Sequence, residues 1–63
     1  MLISEYYKAD GKQANVYMTK GNEPFIVYFD EGGQIFDSEK FPGKSMNYVQ
    51  DAAENYSLGI KEL

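Results

Sequence analysis

SMNYVQDAAENYSLGIKEL, residues 45–63, is the stretch that decides the fold. It is the only segment with the length and the hydrophobic period of a helix, because its apolar side chains recur at helical spacing. Ser45 or Asn47 can cap the first turn, and Gly59 can end the helix because a left-handed residue there costs glycine little. We therefore predict a helix over about residues 45–58, with one apolar stripe that comprises Met46, Val49, Ala52, Ala53, Tyr56 and Ile60.

The chain before this helix is predicted to form the sheet on which it packs. Three turn signals, Asp10-Gly11, Gly21-Asn22 and Glu31-Gly32-Gly33, separate segments rich in tyrosine, phenylalanine, valine and isoleucine. They predict strands at about 2–8, 13–20, 25–30 and 34–37. The adjacent small residues Ala52 and Ala53 would let the helix lie close to the sheet. The prediction is a single α+β domain over residues 1–63, a four-strand antiparallel β-meander with one C-terminal helix on one face.

Two-residue turns at the first two signals fix which side chains share a face. They predict a helix-facing side made of Ile3, Tyr7, Ala14, Val16, Met18, Phe25, Val27 and Phe29, with Glu5 as its one charged member. For the fourth strand, a two-residue loop sets Val27 opposite Phe36 and a three-residue loop sets Phe29 opposite Ile35, and the sequence leaves this choice open. Phe41 is expected to plug one end of the core.

The opposite face is predicted to be an interaction surface. Its apolar, tyrosine-rich members are Leu2, Tyr6, Tyr17, Ile26 and Tyr28. Tyrosine is enriched at protein interfaces, and a domain of 63 residues without cysteine gains stability from association. The sequence favours a non-enzymatic interaction module that acts as a homodimer or higher oligomer, with a host or phage protein as another candidate partner.

Composition argues against an enzyme. The chain has no cysteine and no histidine, so it lacks a thiolate nucleophile and the usual ligands of zinc. Gly43-Lys44-Ser45 precedes a helix, but the first glycine of a phosphate-binding loop should stand where Ser38 does. Four carboxylates near the third turn, Asp30, Glu31, Asp37 and Glu39, do not follow the EF-hand spacing. We expect no catalytic residues, no metal site and no cofactor.

Single-stranded nucleic acid is the alternative ligand, because Tyr6, Tyr17 and Tyr28 could stack on bases. The net charge of −4 and the absence of arginine count against it, since such binding depends on neutralising phosphates. The opening residues lack a basic region and an apolar core of signal-peptide length. No apolar run is long enough to cross a membrane. We therefore expect a cytoplasmic protein without membrane contact.

Two stretches carry a resemblance to known proteins. The run YVQDAAENYSLGI at residues 48–60 and the opening EYYKADGK at residues 5–12 resemble a group of short proteins from marine cyanobacterial phages and ocean metagenomes. Tyr56 stands where AENW-x-x-GI endings of that group have tryptophan. The resemblance implies a phage origin, hence the cytoplasm of the host cell, and no particular activity.

A second resemblance covers residues 25–53. Asp30-Glu31-Gly32-Gly33, followed after eight residues by Pro42-Gly43 and an alanine-containing helix, is similar to the HicB antitoxin domain. That family has a longer approach to its helix and a DNA-binding tail, and it has one hairpin fewer. A HicB-like antitoxin is therefore the second alternative function.

Overall fold

The predicted helix is present. The computed structural model describes all 63 residues and contains one helix, α1, over Met46–Ser57. Ser45 is the N-cap: its backbone is extended, and its hydroxyl accepts a hydrogen bond from the Tyr48 amide at 3.2 Å. This bond satisfies one of the amide groups that have no partner within the first turn.

Gly59 ends the helix in the way that its position predicts. It has a φ of +81°, and its amide donates to the carbonyl of Tyr56 at 3.1 Å. The next amide, that of Ile60, reaches back to the carbonyl of Asn55 at 2.8 Å. This pair of bonds is a Schellman motif, which satisfies carbonyl groups of the last turn.

The strands are β1 (Leu2–Tyr7), β2 (Gln13–Met18), β3 (Pro24–Phe29) and β4 (Ile35–Lys40). They form one antiparallel sheet in the order β1-β2-β3-β4, and α1 packs on one face of it. The predicted α+β meander is confirmed. β4 extends three residues beyond the predicted end at position 37.

All three hairpins use the same three-residue loop, so the predicted two-residue turns are wrong. The last loop residue has a positive φ in each: +95° at Gly11, +61° at Asn22 and +81° at Gly33. That residue donates its amide to the carbonyl three positions before it, at 3.0 Å in all three hairpins. A type I turn followed by a left-handed residue has this geometry. The three left-handed residues are spaced eleven positions apart.

The extra loop residue shifts the strand register by one. Val16 lies opposite Ile26 instead of Val27, and Tyr6 lies opposite Ala14 in place of Tyr7. A one-residue slip exchanges the two faces of a strand. The helix-facing side of β3 is therefore Ile26 and Tyr28. The predicted placement of five side chains against the helix is wrong: Glu5, Tyr7, Phe25, Val27 and Phe29.

Both edge strands carry an irregularity. The register of β1 shifts between Leu2 and Ser4, and that of the last hairpin shifts between Tyr28 and Phe29. Phe29 lies opposite Ile35, which confirms the three-residue alternative for the last loop. Bulges of this kind bend an edge strand and interrupt its ladder.

The core lies between α1 and the sheet. Val49 and Ala53 are fully buried in it, and Tyr56 almost so. Phe41 closes one end, as predicted, and its ring meets the Tyr48 ring edge-on at 6.0 Å. Ile60 follows the helix and is exposed, so its predicted place in the apolar stripe is wrong. The buried apolar set is Ala14, Val16, Ile26, Tyr28, Phe41, Val49, Ala53 and Tyr56.

Tyr28 links this core to the β4 edge. Its ring meets Tyr56 edge-on at 4.8 Å, and its hydroxyl donates to Glu39 Oε1 at 2.9 Å. Lys61 Nζ lies 3.4 Å from the same carboxylate oxygen. Burial, and then the hydrogen bond to Glu39, raise the pKa of Tyr28 well above its ordinary value.

Candidate interaction surface

The sheet face opposite α1 is the candidate functional site, and we call it the open face. Strand alternation and the observed register define its members. The single helix packs on the other side, so this face is not covered by α1. Its residues are Leu2, Glu5, Tyr7, Gln13, Asn15, Tyr17, Phe25, Val27, Phe29, Ile35, Ser38 and Lys40.

An apolar strip runs along β3 in the middle of this face. It consists of Phe25, Val27 and Phe29, each of them half-buried. Tyr17 on β2 stacks on Phe25 with the ring centres 5.4 Å apart and the planes 17° from parallel. Ile35 on β4 extends the apolar surface beside Phe29. The strip is contiguous, which distinguishes it from the singly exposed apolar side chains common on protein surfaces.

A polar row runs along β2 beside this strip. Gln13 Nε2 donates to Asn15 Oδ1 at 2.6 Å, and Asn15 Nδ2 donates to the Tyr17 hydroxyl at 3.3 Å. Asn15 is only 6% exposed although its face carries no helix. A primary amide has two donors and two acceptor lone pairs, and these bonds use one of each. The Asn15 amide therefore keeps one donor and one acceptor site unused at the centre of the face.

The charges of the open face stand on its outer strands. Glu5 on β1 accepts a hydrogen bond from the Tyr7 hydroxyl at 2.8 Å. This bond, more than burial, raises the pKa of Tyr7. Lys40 lies on β4, opposite Phe25. The centre of the face therefore carries no charged side chain, and one carboxylate and one ammonium group stand at its two edges.

The five residues predicted as the interface do not share a face. Leu2 and Tyr17 lie opposite each other on the open face. Tyr6 packs, half-buried, against the core beneath the helix. Ile26 and Tyr28 are fully buried there and cannot meet a partner. Their predicted place on the second face is wrong, because the prediction used a register shifted by one residue.

The residues that prediction missed are those of the apolar strip on β3. A partial signal was present in the spacing of Gly11, Asn22 and Gly33, which are glycine or asparagine, two residue types that tolerate positive φ. Equal intervals of eleven predict equal loops, and hence the same turn type in all three hairpins. A three-residue loop in each gives the observed faces.

The surface has two concavities, and the first of them borders the open face. One, of about 180 Å³, lies where β3, β4 and the loop into α1 meet, beside Phe25 and Pro42. The other, of about 280 Å³, is bordered by Lys8, Lys12 and Phe36. The two ammonium groups lie 4.0 and 3.9 Å from Asp10 Oδ2.

The structure shows neither a cluster of metal ligands nor a helix able to cross a membrane. No group of three or more acidic side chains is placed to hold a metal ion. The one helix is too short and too polar to cross a membrane. Comparison with known proteins gave no match to any family model, curated protein or solved structure.

Proposed function

We propose that this protein is a non-enzymatic interaction module that self-associates by stacking the open face of one copy on that of another. The observation that carries this proposal is the uncovered apolar strip of Phe25, Val27 and Phe29. Strand β3 is apolar on both faces, because Ile26 and Tyr28 alternate with the strip. A strand of this composition is typical of sheets that are covered on both sides, and the chain supplies a cover for one side.

Stacking is favoured over pairing through sheet edges. The outer edge strand β4 carries Asp37, Glu39 and Lys40 and contains the irregularity beside Phe36. The other edge strand, β1, has its own bulge between Leu2 and Ser4. Charged side chains and bulges are features by which proteins protect edges from pairing. The open face has no such protection at its centre.

The size of the face predicts a weak, reversible association. Its strands contain six residues each, so the face measures roughly 20 Å along the strands and about 19 Å across them. Counted over both copies, the stacked faces have a projected area on the order of 800 Å². Stable complexes begin at roughly 1,200 Å² of buried surface, also counted over both partners. We therefore expect a dimer whose population depends on protein concentration.

Light scattering on a sizing column, with the protein diluted over a hundredfold range, tests self-association. We expect the mass to fall from dimer toward monomer as the protein is diluted. Val27→Glu should shift this transition to higher concentration, because it places a charge at the centre of the strip. Asn47→Glu is the matched control, since Asn47 is exposed on the helix and the variant has the same net charge. A monomeric mass at every concentration would contradict the proposal, as would equal behaviour of the two variants.

Single-stranded nucleic acid is a second candidate ligand for the same face. The stacked Tyr17 and Phe25 rings, with Lys40 opposite Phe25, offer one small platform for a base. Tyr6 and Tyr28 lie on the other side of the sheet and do not extend it. With a net charge of −4 we expect no binding at physiological salt. Fluorescence anisotropy with labelled oligonucleotides tests this, and micromolar affinity with a steep salt dependence would favour the nucleic-acid function.

A further inference from the structure

We infer that the concavity where β3, β4 and the loop into α1 meet binds a free amino acid with an apolar side chain. This inference goes beyond the proposed function, which depends on the middle of the open face and not on the ends of its strands. It rests on two features of the concavity, an apolar lining and a pair of opposite charges at its rim.

The apolar lining comes from two proline and two phenylalanine side chains. Pro24 and Phe41 are buried, Phe25 is half-buried, and Pro42 stands beside them. Proline has no amide hydrogen, so the backbone offers no donor at either proline. A lining of this kind favours a hydrocarbon group, because a polar group placed there would lose its hydrogen bonds to water.

The size of the concavity selects a single small group. Its volume is about 180 Å³. An apolar cavity of roughly 150 Å³ accepts one benzene molecule. One aromatic ring or one branched alkyl chain therefore fills this concavity.

Two opposite charges stand at the rim. Glu23 comes from the chain between β2 and β3, Lys40 is the last residue of β4, and both side chains are exposed. Neither of them forms an ion pair, with each other or with any other side chain. The rim also carries Thr19, whose hydroxyl accepts a hydrogen bond from the Glu23 amide at 3.2 Å and keeps its own proton to donate.

A free amino acid complements both the lining and the rim. Its ammonium group would face Glu23, its carboxylate would face Lys40 and the Thr19 hydroxyl, and its apolar side chain would fill the concavity. A ligand with one charge would leave the opposite rim group without a partner, and a residue inside a peptide chain carries neither charge. Because exposed ion pairs contribute little, we expect a dissociation constant on the order of 1 mM.

Nuclear magnetic resonance titration with L-phenylalanine tests this site, with the backbone amides of Phe25 and Phe41 as reporters. Three probes share its ring. 3-Phenylpropanoate lacks the ammonium group, phenethylamine lacks the carboxylate, and N-acetylphenylalaninamide carries no charge. We expect each of the three to bind about threefold to fivefold more weakly than L-phenylalanine.

Two variants assign the charges of the probes to the residues of the rim. Lys40→Met should weaken the binding of L-phenylalanine and 3-phenylpropanoate and leave that of phenethylamine unchanged, and Glu23→Gln should do the reverse. The hydrogen bond to Thr19 uses the backbone amide of residue 23, so Glu23→Gln retains it. Lys20→Met and Glu54→Gln are the matched controls, because they make the same charge changes at exposed positions that do not line the concavity.

Each outcome decides for or against the site. Opposite effects of Lys40→Met and Glu23→Gln on the two one-charge probes support it, and this comparison is made within each variant, so self-association affects both probes alike. Absence of saturable shifts at the reporter amides would overturn it. Equal effects of Lys40→Met and Lys20→Met would overturn the role of the rim. Binding of N-acetylphenylalaninamide as tightly as L-phenylalanine would overturn the amino acid in favour of a segment of a partner protein. None of these results bears on self-association, which light scattering measures separately.

Discussion

The loop geometry that sets the strand register can be tested with two adjacent glycines in the last hairpin. Gly33 has a φ of +81°, and a Cβ built on it meets no atom within 4 Å. The cost of Gly33→Ala is therefore conformational and not steric. Gly32 does not have a positive φ, and its Cβ would lie 3.4 Å from Asp30 Oδ1, which is an ordinary van der Waals contact. Gly32→Ala is the matched control.

The difference in stability between the two variants isolates the left-handed conformation. An alanine in place of glycine lowers the entropy of the unfolded chain equally at both positions, which stabilises the fold by about 0.4–1 kcal/mol. Only Gly33→Ala also incurs the left-handed penalty of about 1–2 kcal/mol. We expect Gly32→Ala to be neutral or stabilising, and Gly33→Ala to be less stable than Gly32→Ala by about 1–2 kcal/mol.

Urea denaturation followed by circular dichroism measures this difference. For a domain of this size, about 1 kcal/mol corresponds to a shift in Tm of roughly 4–8 °C, so thermal melting resolves it as well. Equal stabilities, or a Gly32→Ala variant less stable than Gly33→Ala, would refute the three-residue loop. The register derived from that loop, and with it the composition of the open face, would then need revision.

Three further predictions concern the core. Ala53→Leu should destabilise the fold by about 1–3 kcal/mol in urea denaturation, because Ala53 is fully buried between helix and sheet. Ala52 is only half-buried, so Ala52→Leu should destabilise the fold less. If both variants unfold like wild type, the docking of the helix is contradicted. Tyr28→Phe removes the hydrogen bond to Glu39 and should lower the free energy of unfolding by about 1.5–3 kcal/mol in the same assay, whereas unchanged stability would mean that this bond contributes nothing. The raised pKa of Tyr28 means that the folded state holds this proton more tightly than the unfolded chain, in which the pKa is near 10.0. The resulting stabilisation is complete below pH 10 and is lost as the pH rises above it. Wild type should therefore lose more stability than Tyr28→Phe when urea titrations are compared between neutral and strongly alkaline pH. Parallel pH profiles of the two proteins would contradict this assignment.

The sequence by itself determined the elements and their order. Three features of the helix depend on contacts within a few residues: the helical period of residues 45–63, the cap at Ser45 and the end at Gly59. The structure has all three. The same holds for the existence of four strands, because runs of strand-forming residues alternate with turn signals. Local interactions of this kind can be read from sequence alone.

Only the tertiary structure decided which side of each strand the helix covers. Asp10-Gly11 fits a two-residue turn and the end of a three-residue loop equally well, and these loops differ by one residue in register. The apolar side chains of β3 do not resolve the choice, because Phe25, Val27 and Phe29 are as hydrophobic as Ile26 and Tyr28. The observed register places Ile26 and Tyr28 beneath Val49, Ala53 and Tyr56 of the helix, in the buried core.

The candidate site was therefore predicted in kind but not in composition. The sequence showed that β3 is apolar on both sides and that one helix can cover only one of them. Which side remains open depends on packing between segments that are far apart in the chain. Examples are the contact of the Tyr28 ring with Tyr56 and the hydrogen bond from the Tyr28 hydroxyl to Glu39. Because side chains alternate along a strand, one additional loop residue exchanges the two faces of the strand without changing the order of the strands. For this reason the fold could be predicted and the composition of the surface could not.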